Sequence, residues 1–167
     1  DGDSEAYYAA LSSNYIAKSI DGNLMRIPGV DMVGALDMGG SSTQVIVNKN
    51  SKEGEKVKKE DFWSYSWINY GVEKVREKVE ELAAAAEGRA NPCTPAGYSM
   101  EHEGSGKTLV GSGDPARCYE MVTEVIWQDK ICEAAASSKK ETGEPCYLAE
   151  VEHPPLKGKF YAMSVYF

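Results

Sequence analysis

The chain has 167 residues, and its 18 Lys and Arg against 26 Asp and Glu give a formal net charge of −8. A hydrophobic fraction of 42% is typical of a globular domain and excludes a disordered tail or a coiled coil. The negative charge excludes a typical nucleic-acid-binding protein, because no basic field would attract phosphate backbones. It is still compatible with a nucleotide whose charge a metal ion offsets.

The first part of the chain predicts a helix followed by a β-hairpin. Apolar residues at helical spacing predict a helix over residues 5–20, which the Asp-Gly-Asn sequence at 21–23 ends. Residues 30–37 and 43–47 have the composition of strands. The Gly- and Ser-rich segment between them predicts the tight turn of a hairpin.

Strands and helices continue to alternate in the rest of the chain, which indicates a mixed α/β protein. The polar residues 48–61 predict a solvated loop, and residues 88–113 are predicted to be mainly loop as well. Asp114 and Pro115 mark the start of a helix that runs toward about residue 136. The other predicted elements are an aromatic strand at 62–70, a helix at 72–87, a strand at 146–152, a turn at 154–158 and a strand at 160–167.

Both ends of the sequence suggest a segment of a longer protein. The chain begins at Asp1 without a Met or a signal peptide, and it ends at Phe167 inside a predicted strand. A natural domain rarely ends in a strand whose edge is unpaired. We therefore expect these residues to be a piece of a longer chain, with no membrane-spanning run of about 20 apolar residues in this piece.

The four cysteines, Cys93, Cys118, Cys132 and Cys146, allow three disulfide pairings. They lack the short Cys-x₂₋₄-Cys spacing of a zinc site. Sequential pairing would close two modest loops, each worth roughly 3 kcal/mol by the loop-entropy relation. Reduced, buried thiols are the alternative, whereas disulfides would indicate a secretory or extracellular location.

Two common catalytic motifs are not supported. The segment GSGKT at residues 104–108 resembles the end of a P-loop, but Glu101 occupies the position of the required first glycine and would repel phosphate. No Gly-x-Ser-x-Gly segment is present, and neither histidine lies in a nucleophile-elbow context. A hydrolase triad is therefore set aside.

The segment DMGGSSTQ at residues 37–44 has the composition of a phosphate-binding loop. Its two glycines let backbone N–H groups approach an anion, and three hydroxyl side chains add donors. Asp37 can hold a divalent cation or its hydration shell, and Gln44 can orient a water molecule. A hairpin turn without a functional role is the alternative. The candidate phosphate-binding residues are Gly39, Gly40, Ser41, Ser42 and Thr43.

Residues 35–45 (ALDMGGSSTQV) resemble the second phosphate-binding loop of the apyrase family, the nucleoside triphosphate diphosphohydrolases. That loop reads Asp-Leu-Gly-Gly-Ala/Ser-Ser-Thr-Gln, and exopolyphosphatases of the same actin-like superfamily typically have Glu in place of Gln44. Other segments resemble further family motifs in the family's order, including its third conserved region at the start of the chain. These segments are GDSEAYY with Asn14-Tyr15, YSWINYG at 65–71, NPCTPAGY at 91–98, GSGD with Cys118, and PPLKGKFYAMSVYF at 154–167.

The resemblance covers essentially the whole chain and implies an incomplete actin-like (ribonuclease H-like) α/β lobe with a mixed sheet and flanking helices. Residues 1–167 would then be part of the second, C-terminal lobe of a two-lobed nucleoside phosphatase. The N-terminal lobe, with the first phosphate loop, and the extreme C-terminus would be absent. We accordingly expect the isolated piece to be inactive, and any membrane attachment to lie in the absent parts.

The resemblance also implies metal-dependent hydrolysis of nucleoside tri- or diphosphates with release of inorganic phosphate. Glu5 corresponds to the general base, and Ser42 and Gln44 to residues that position the attacking water. Asp37 would contact Ca²⁺ or Mg²⁺ through water. The partner would be a nucleotide such as ATP and not a nucleic acid. The location would be secreted, on the cell surface or in the secretory lumen.

The family pattern further favours the pairing Cys93–Cys118 and Cys132–Cys146. Two positions depart from it: Ala6 stands where the family has Gly, and Ala10 where it has Trp. These departures motivate one alternative, a catalytically dead nucleotide-binding homologue. An exopolyphosphatase-like or sugar-kinase-like member of the superfamily and a stand-alone disulfide-stapled interaction domain are the others.

Overall fold

The computed structural model describes residues 2–126 and 151–164 of the chain. They belong to two compact units, the first made of Asp1–Val72 with His153–Phe167 and the second of Glu73–Glu152. The predicted α/β class, with mixed sheets and flanking helices, is confirmed. The elements are α1 (Gly2–Ile16), β1 (Gly34–Met38), β2 (Ser42–Asn48), a short 3₁₀ helix (Lys59–Asp61), β3 (Phe62–Ile68), α2 (Val72–Ala85), β4 (Ala90–Asn91), β5 (Ser99–His102), β6 (Lys107–Gly111), α3 (Pro115–Ile126) and β7 (Phe160–Ser164).

A four-stranded sheet in the order β3-β2-β1-β7 forms the first unit. β1 and β2 make the predicted antiparallel hairpin, and β3 continues the antiparallel arrangement. β7 lies parallel to β1, although it is far away in sequence. The carboxyl ends of β1 and β7 therefore meet at one edge of the sheet, the same edge at which the β1–β2 turn lies.

α1 packs on one face of this sheet through small side chains. Ala6, Ala9 and Ala10 are buried in one apolar cluster with Ala35 of β1 and Ile46 of β2. Alanine is the best helix former and adds little bulk, so the helix backbone can approach the strands closely. This close approach brings the first turn of α1 near the sheet.

α1 begins at Gly2 and ends at Ile16, whereas the sequence predicted a helix over residues 5–20. The chain turns out of the helix at Lys18, whose φ is 58°. The Ser19 N–H donates to Asn14 O at 2.9 Å, and the Lys18 N–H donates to Tyr15 O at 3.1 Å. This pair of bonds is a Schellman ending, which satisfies the last carbonyl groups and stops the helix.

β1 is shorter than the predicted strand at 30–37 because the Asn14 side chain occupies the backbone of Val33. Asn14 Nδ2 donates to Val33 O at 3.0 Å, and Asn14 Oδ1 accepts the Val33 N–H at 2.9 Å. With both groups used, Val33 cannot join the ladder, and β1 starts at Gly34. The polar segment at 48–61 is a loop as predicted, apart from its short 3₁₀ helix.

The second unit contains α2 from Glu73 onward, α3 and a small sheet in the order β4-β6-β5. The prediction that residues 88–113 are mainly loop is wrong for these three short strands, whose exposed polar residues hide the alternation of a sheet. The predicted cap of α3 is confirmed, since Asp114 Oδ1 accepts the N–H groups of Ala116 and Arg117 at 3.1 and 3.0 Å.

Parts of three predicted elements lie outside the described residues: the end of α3 beyond 126, the strand at 146–150, and 165–167 of the last strand. Val151 and Glu152 are described and are not in a strand, contrary to prediction. Pro154 and Pro155 follow them and lack the N–H groups that a ladder needs. In the described ranges, no helix has both the length and the apolar character needed to cross a membrane.

Candidate active site

A polar row crosses the sheet of the first unit near the carboxyl ends of β1 and β7. The strand register pairs Asp37 with Met163 on one side and with Gln44 on the other, and it pairs Gln44 with Ser66. Register partners share a face of the sheet. Ile46, two residues beyond Gln44 on the same face, lies in the core beneath α1. The row therefore lies on the face that α1 covers.

Gln44 is the fixed centre of this row. Its side chain is buried, and Nε2 donates to Ser42 Oγ at 2.7 Å and to Ser66 Oγ at 2.9 Å. These two bonds use both amide hydrogens. Each serine oxygen accepts one of them, so each serine hydroxyl keeps its own hydrogen to donate elsewhere.

The turn between β1 and β2 is braced by the segment that follows β3. The Gly39 N–H donates to Ser42 O at 3.0 Å and closes the turn. Gly39 O accepts the Val72 N–H at 3.0 Å, and Ser41 O accepts the Asn69 N–H at 2.8 Å. The structure thus holds the turn from outside through main-chain bonds, which fixes the direction of its remaining N–H groups.

Two main-chain donors of the turn remain unpaired. The N–H groups of Gly40 and Ser41 have no hydrogen-bond partner in the part of the chain that the structure describes. Thr43 differs, because its side chain lies on the opposite face of β2 and its hydroxyl donates to Tyr70 O at 2.7 Å. Of the predicted phosphate-binding residues, the structure brings Gly40, Ser41 and Ser42 near Gln44, and it does not bring the Thr43 hydroxyl there.

Asp37, at the other end of the row, has one carboxylate oxygen engaged. Ser164 Oγ donates to Asp37 Oδ1 at 2.5 Å, while Asp37 Oδ2 has no partner among residues 2–126 and 151–164. Within those ranges, no group of three or more His, Cys, Asp and Glu could hold a metal ion. A cation at Asp37 would therefore be bound by one carboxylate, by water and by phosphate oxygens, a donor set that suits Mg²⁺ or Ca²⁺.

Glu5 lies in the first turn of α1, and its side chain is exposed. The same turn touches the row at Ser66, because a Cβ atom at Gly2 would lie 2.7 Å from Ser66 Oγ. No hydrogen bond among the described residues joins Glu5 to Ser42 or Gln44. The structure thus places the predicted base on the helix that borders the row, without direct contact to the other predicted catalytic residues.

Sequence reasoning missed Ser66 and Ser164. Both lie in segments that resemble family motifs, yet neither segment says which distant side chain its serine meets. Only the pairing of β3 with β2 and of β7 with β1 brings these hydroxyls to Gln44 and Asp37. A register prediction for the whole sheet would have been the signal.

In the second unit, Cys93 and Cys118 form a disulfide, which is the first of the predicted pairs. Cys132 and Cys146 lie outside the described residues. The GSGKT segment follows β5 and enters β6 without opening a helix, and Lys107 Nζ donates to Ala84 O at 2.8 Å. This arrangement agrees with the rejection of a P-loop.

The fold and the Gly-Gly-Ser-Ser turn beside a fixed glutamine define a phosphate-binding α/β protein, and comparison with known proteins gives the family. Residues 1–167 match the GDA1/CD39 (nucleoside phosphatase) family. The match spans the whole chain, and the chain belongs to this family. The predicted relationship to apyrases is thereby confirmed.

Three curated relatives are distant in sequence. Ectonucleoside triphosphate diphosphohydrolase 8 of Bos taurus is 26% identical over 99% of this chain and 39% of its own length. Golgi apyrase of Schizosaccharomyces pombe is 24% identical over 93% of the chain and 28% of its own length. Guanosine-diphosphatase of Saccharomyces cerevisiae is 24% identical over 95% of the chain and 36% of its own length. The chain therefore spans at most about two fifths of these relatives.

A solved structure is also similar. It contains nucleoside triphosphate hydrolases from Neospora caninum, with 18% identity, a TM-score of 0.41, and coverage of 97% of this chain and 35% of the other.

Proposed function

We propose that the protein containing this chain hydrolyses nucleoside tri- or diphosphates and releases inorganic phosphate. The observation that carries the proposal is the buried Gln44, fixed by Ser42 and Ser66 beside the unpaired N–H groups of Gly40 and Ser41. Membership of the nucleoside phosphatase family supports it. The names of the relatives, which include a triphosphate diphosphohydrolase and a guanosine-diphosphatase, agree with both substrate classes.

The turn would bind the terminal phosphate. The transition state of phosphoryl transfer spreads negative charge over the transferred oxygens, so catalysis depends on donors that are already aimed at them. The N–H groups of Gly40 and Ser41 suit this role because the neighbouring main-chain bonds fix the turn before substrate arrives. Preorganised donors need no reorganisation during the reaction.

Gln44 and Ser42 would position the attacking water. Since Gln44 Nε2 donates to two hydroxyls, Oε1 is the remaining polar atom of the amide and would accept a hydrogen bond from water. The hydroxyl hydrogen of Ser42 remains available as a donor. Two such contacts would restrict the water to the line of the breaking bond, where attack must occur.

Glu5 would be the general base that takes a proton from this water. Its carboxylate is exposed on the first turn of α1, and Gly2 of the same turn lies against Ser66. Catalytic hydrogen bonds often form only when substrate is bound, so the lack of a direct bond between Glu5 and the row is compatible with this role. No covalent phosphoenzyme is needed.

Asp37 would hold Ca²⁺ or Mg²⁺ through water. A hard cation of this kind commonly keeps several waters and is shared between one or two carboxylates and the substrate phosphates. Bound there, it would supply charge neutralisation for the polyphosphate. The unpaired Oδ2 of Asp37 is the protein atom that would accept hydrogen bonds from its hydration shell.

We further propose that a separate N-terminal lobe supplies a second phosphate loop, and that the 167 residues alone are inactive. The length of the chain relative to its curated relatives supports this proposal. The names of those relatives point to the cell surface and the Golgi, and the Cys93–Cys118 disulfide agrees with a location in the secretory pathway or outside the cell.

A catalytically dead nucleotide-binding homologue is the second candidate, motivated by Ala6 and Ala10. Both side chains are 1% exposed and lie in the core between α1 and the sheet. They alter the helix that carries Glu5 while leaving the turn at 39–42 unchanged. Such a protein would bind nucleotide through the turn and fail to turn it over.

The test measures phosphate release from ATP, ADP, GDP and polyphosphate by the full-length protein, with Ca²⁺ or Mg²⁺ and with EDTA. We expect release from nucleotides that needs the cation and falls at least about 100-fold in Glu5→Gln, the loss expected for a general base. Glu81→Gln, a change at an exposed glutamate of α2, is the control and should have no effect.

The other outcomes identify the alternatives. Nucleotide binding without turnover would make the protein a dead homologue, and release from polyphosphate alone would make it an exopolyphosphatase. Release by the isolated 167-residue chain, abolished by Glu5→Gln, would contradict the proposed need for a second lobe.

A further inference from the structure

Ser164, the last residue of β7, has an unusual backbone conformation. Its φ is 61°, in the left-handed region that non-glycine residues rarely occupy. Four other described non-glycine residues have positive φ, and all of them lie outside the strands; they are Lys18, Leu24, Asn69 and Arg89. Such conformations cost roughly 1–3 kcal/mol and tend to occur at functional sites.

The conformation changes the direction of the Ser164 side chain. In the parallel ladder, Asp37 pairs with Met163, and Ser164 pairs with Met38. Successive residues of a regular strand point to opposite faces, so an extended Ser164 would point away from the face that Asp37 and Met163 share. The positive φ turns the side chain back toward that face.

The result is a hydrogen bond between residues 127 positions apart, in which Ser164 Oγ donates to Asp37 Oδ1 at 2.5 Å. Bonds from a hydroxyl to an ionised carboxylate are among the short, strong ones. Because Asp37 is partly exposed, its carboxylate would otherwise rotate between several orientations. The bond leaves Oδ2 as the oxygen that faces outward.

We propose that Ser164 is a positioning residue for Asp37, orienting Oδ2 toward the hydration shell of the divalent cation. This inference rests on the proposed function, since it assigns Asp37 to the cation of the nucleotide complex. Ser164 itself would touch neither the substrate nor the cation. Its strained backbone would be retained because it directs the hydroxyl.

The test is Ser164→Gly in the full-length protein, with Mn²⁺ binding measured by electron paramagnetic resonance in the presence of a non-hydrolysable ATP analogue. Removal of the hydroxyl should weaken Mn²⁺ binding about tenfold, the low end for a hydrogen bond to a charged group. Glycine adopts positive φ without strain, so the melting temperature should stay the same or rise. A purely structural serine would give the opposite pattern, with lower stability and unchanged Mn²⁺ binding.

Two further variants isolate the effect. Lys18→Gly also removes an exposed side chain from a positive φ in the same unit, and it should leave Mn²⁺ binding unchanged. In an Asp37→Asn background, Ser164→Gly should cause no further loss, because its effect passes through the carboxylate. An equal loss in both backgrounds would overturn the inference.

The Mn²⁺ measurement does not depend on turnover, so the two proposals can fail separately. Mn²⁺ binding that weakens in Ser164→Gly, in a protein that hydrolyses no nucleotide, would retain the inference and reject the proposed activity. Nucleotide hydrolysis with Mn²⁺ binding equal in wild type and Ser164→Gly would reject the inference alone. Absence of Mn²⁺ binding to the wild-type nucleotide complex would also reject it.

Discussion

Ser66 Oγ lies 2.9 Å from Gln44 Nε2 and accepts one of its two amide hydrogens. The bond joins neighbouring strands, β3 and β2, and Ser66 also lies against Gly2 at the start of α1. Ser66 thus links the residue that would orient water to the helix that carries the proposed base.

Replacing Ser66 with Ala should reduce kcat for nucleotide hydrolysis by roughly tenfold with little change in KM. The change leaves one buried amide hydrogen of Gln44 without a partner and lets the side chain rotate, a loss on the order of 1–3 kcal/mol. Steady-state phosphate release by the full-length protein measures both constants. Ser64→Ala, on the same face of β3, is the matched control. Equal kcat in wild type and Ser66→Ala would show that Gln44 needs no second partner.

The role of Ser66 illustrates what the sequence could predict. The turn at 39–42, the strand before it and Gln44 are close together in the chain, and local composition was sufficient to select them. Ser66 and Ser164 reach the site only through strand pairings with β2 and β1. Their partners depend on register, which local composition does not encode.

The same distinction explains the errors in the fold. The hairpin and the α3 cap follow from short-range signals and were predicted. α1 ends at Ile16 because Asn14 bonds to Val33 across a loop, and this contact is tertiary. β4, β5 and β6 are too short and too polar to show the alternation of a buried strand.

Gly71→Ala should disrupt the phosphate-binding turn. A Cβ atom at residue 71 would lie 2.5 Å from the Gly40 carbonyl oxygen and would also contact the Ser42 nitrogen. Both neighbours are main chain, so the turn itself must move, at a cost on the order of 1–3 kcal/mol. We expect a lower melting temperature and a KM for nucleotide raised at least about tenfold, both measured on the full-length protein.

Gly22→Ala is the control for this change, because nothing lies within 4 Å of a Cβ atom at that position. It should alter neither the melting temperature nor KM by more than the experimental error. Normal nucleotide affinity in Gly71→Ala would mean that the turn tolerates displacement, and it would weaken its assignment as the phosphate site.

Loss of the Cys93–Cys118 disulfide should destabilise the protein by about 3 kcal/mol, because the bond closes a loop with a sequence separation of 25. The double change Cys93→Ala with Cys118→Ala tests this by urea denaturation against the wild-type protein. Mass spectrometry of non-reduced peptides tests the pairing directly and includes Cys132 and Cys146. Free thiols or crossed pairs would contradict the sequential pattern.

Tyr7 provides a test of the contact between α1 and the sheet. Burial raises the pKa of Tyr7 above its ordinary value of 10.0, and the carboxylates of Glu60 and Asp61 raise this pKa further. The fold therefore favours the neutral phenol. The resulting stabilisation is fully present below pH 10.0, and it is lost as the pH rises through the higher pKa of the folded state. The difference in absorbance at about 295 nm between wild type and Tyr7→Phe should give a midpoint above the ordinary tyrosine value. Glu60→Gln should lower that midpoint, and a midpoint that does not respond to Glu60→Gln would contradict the charge contribution.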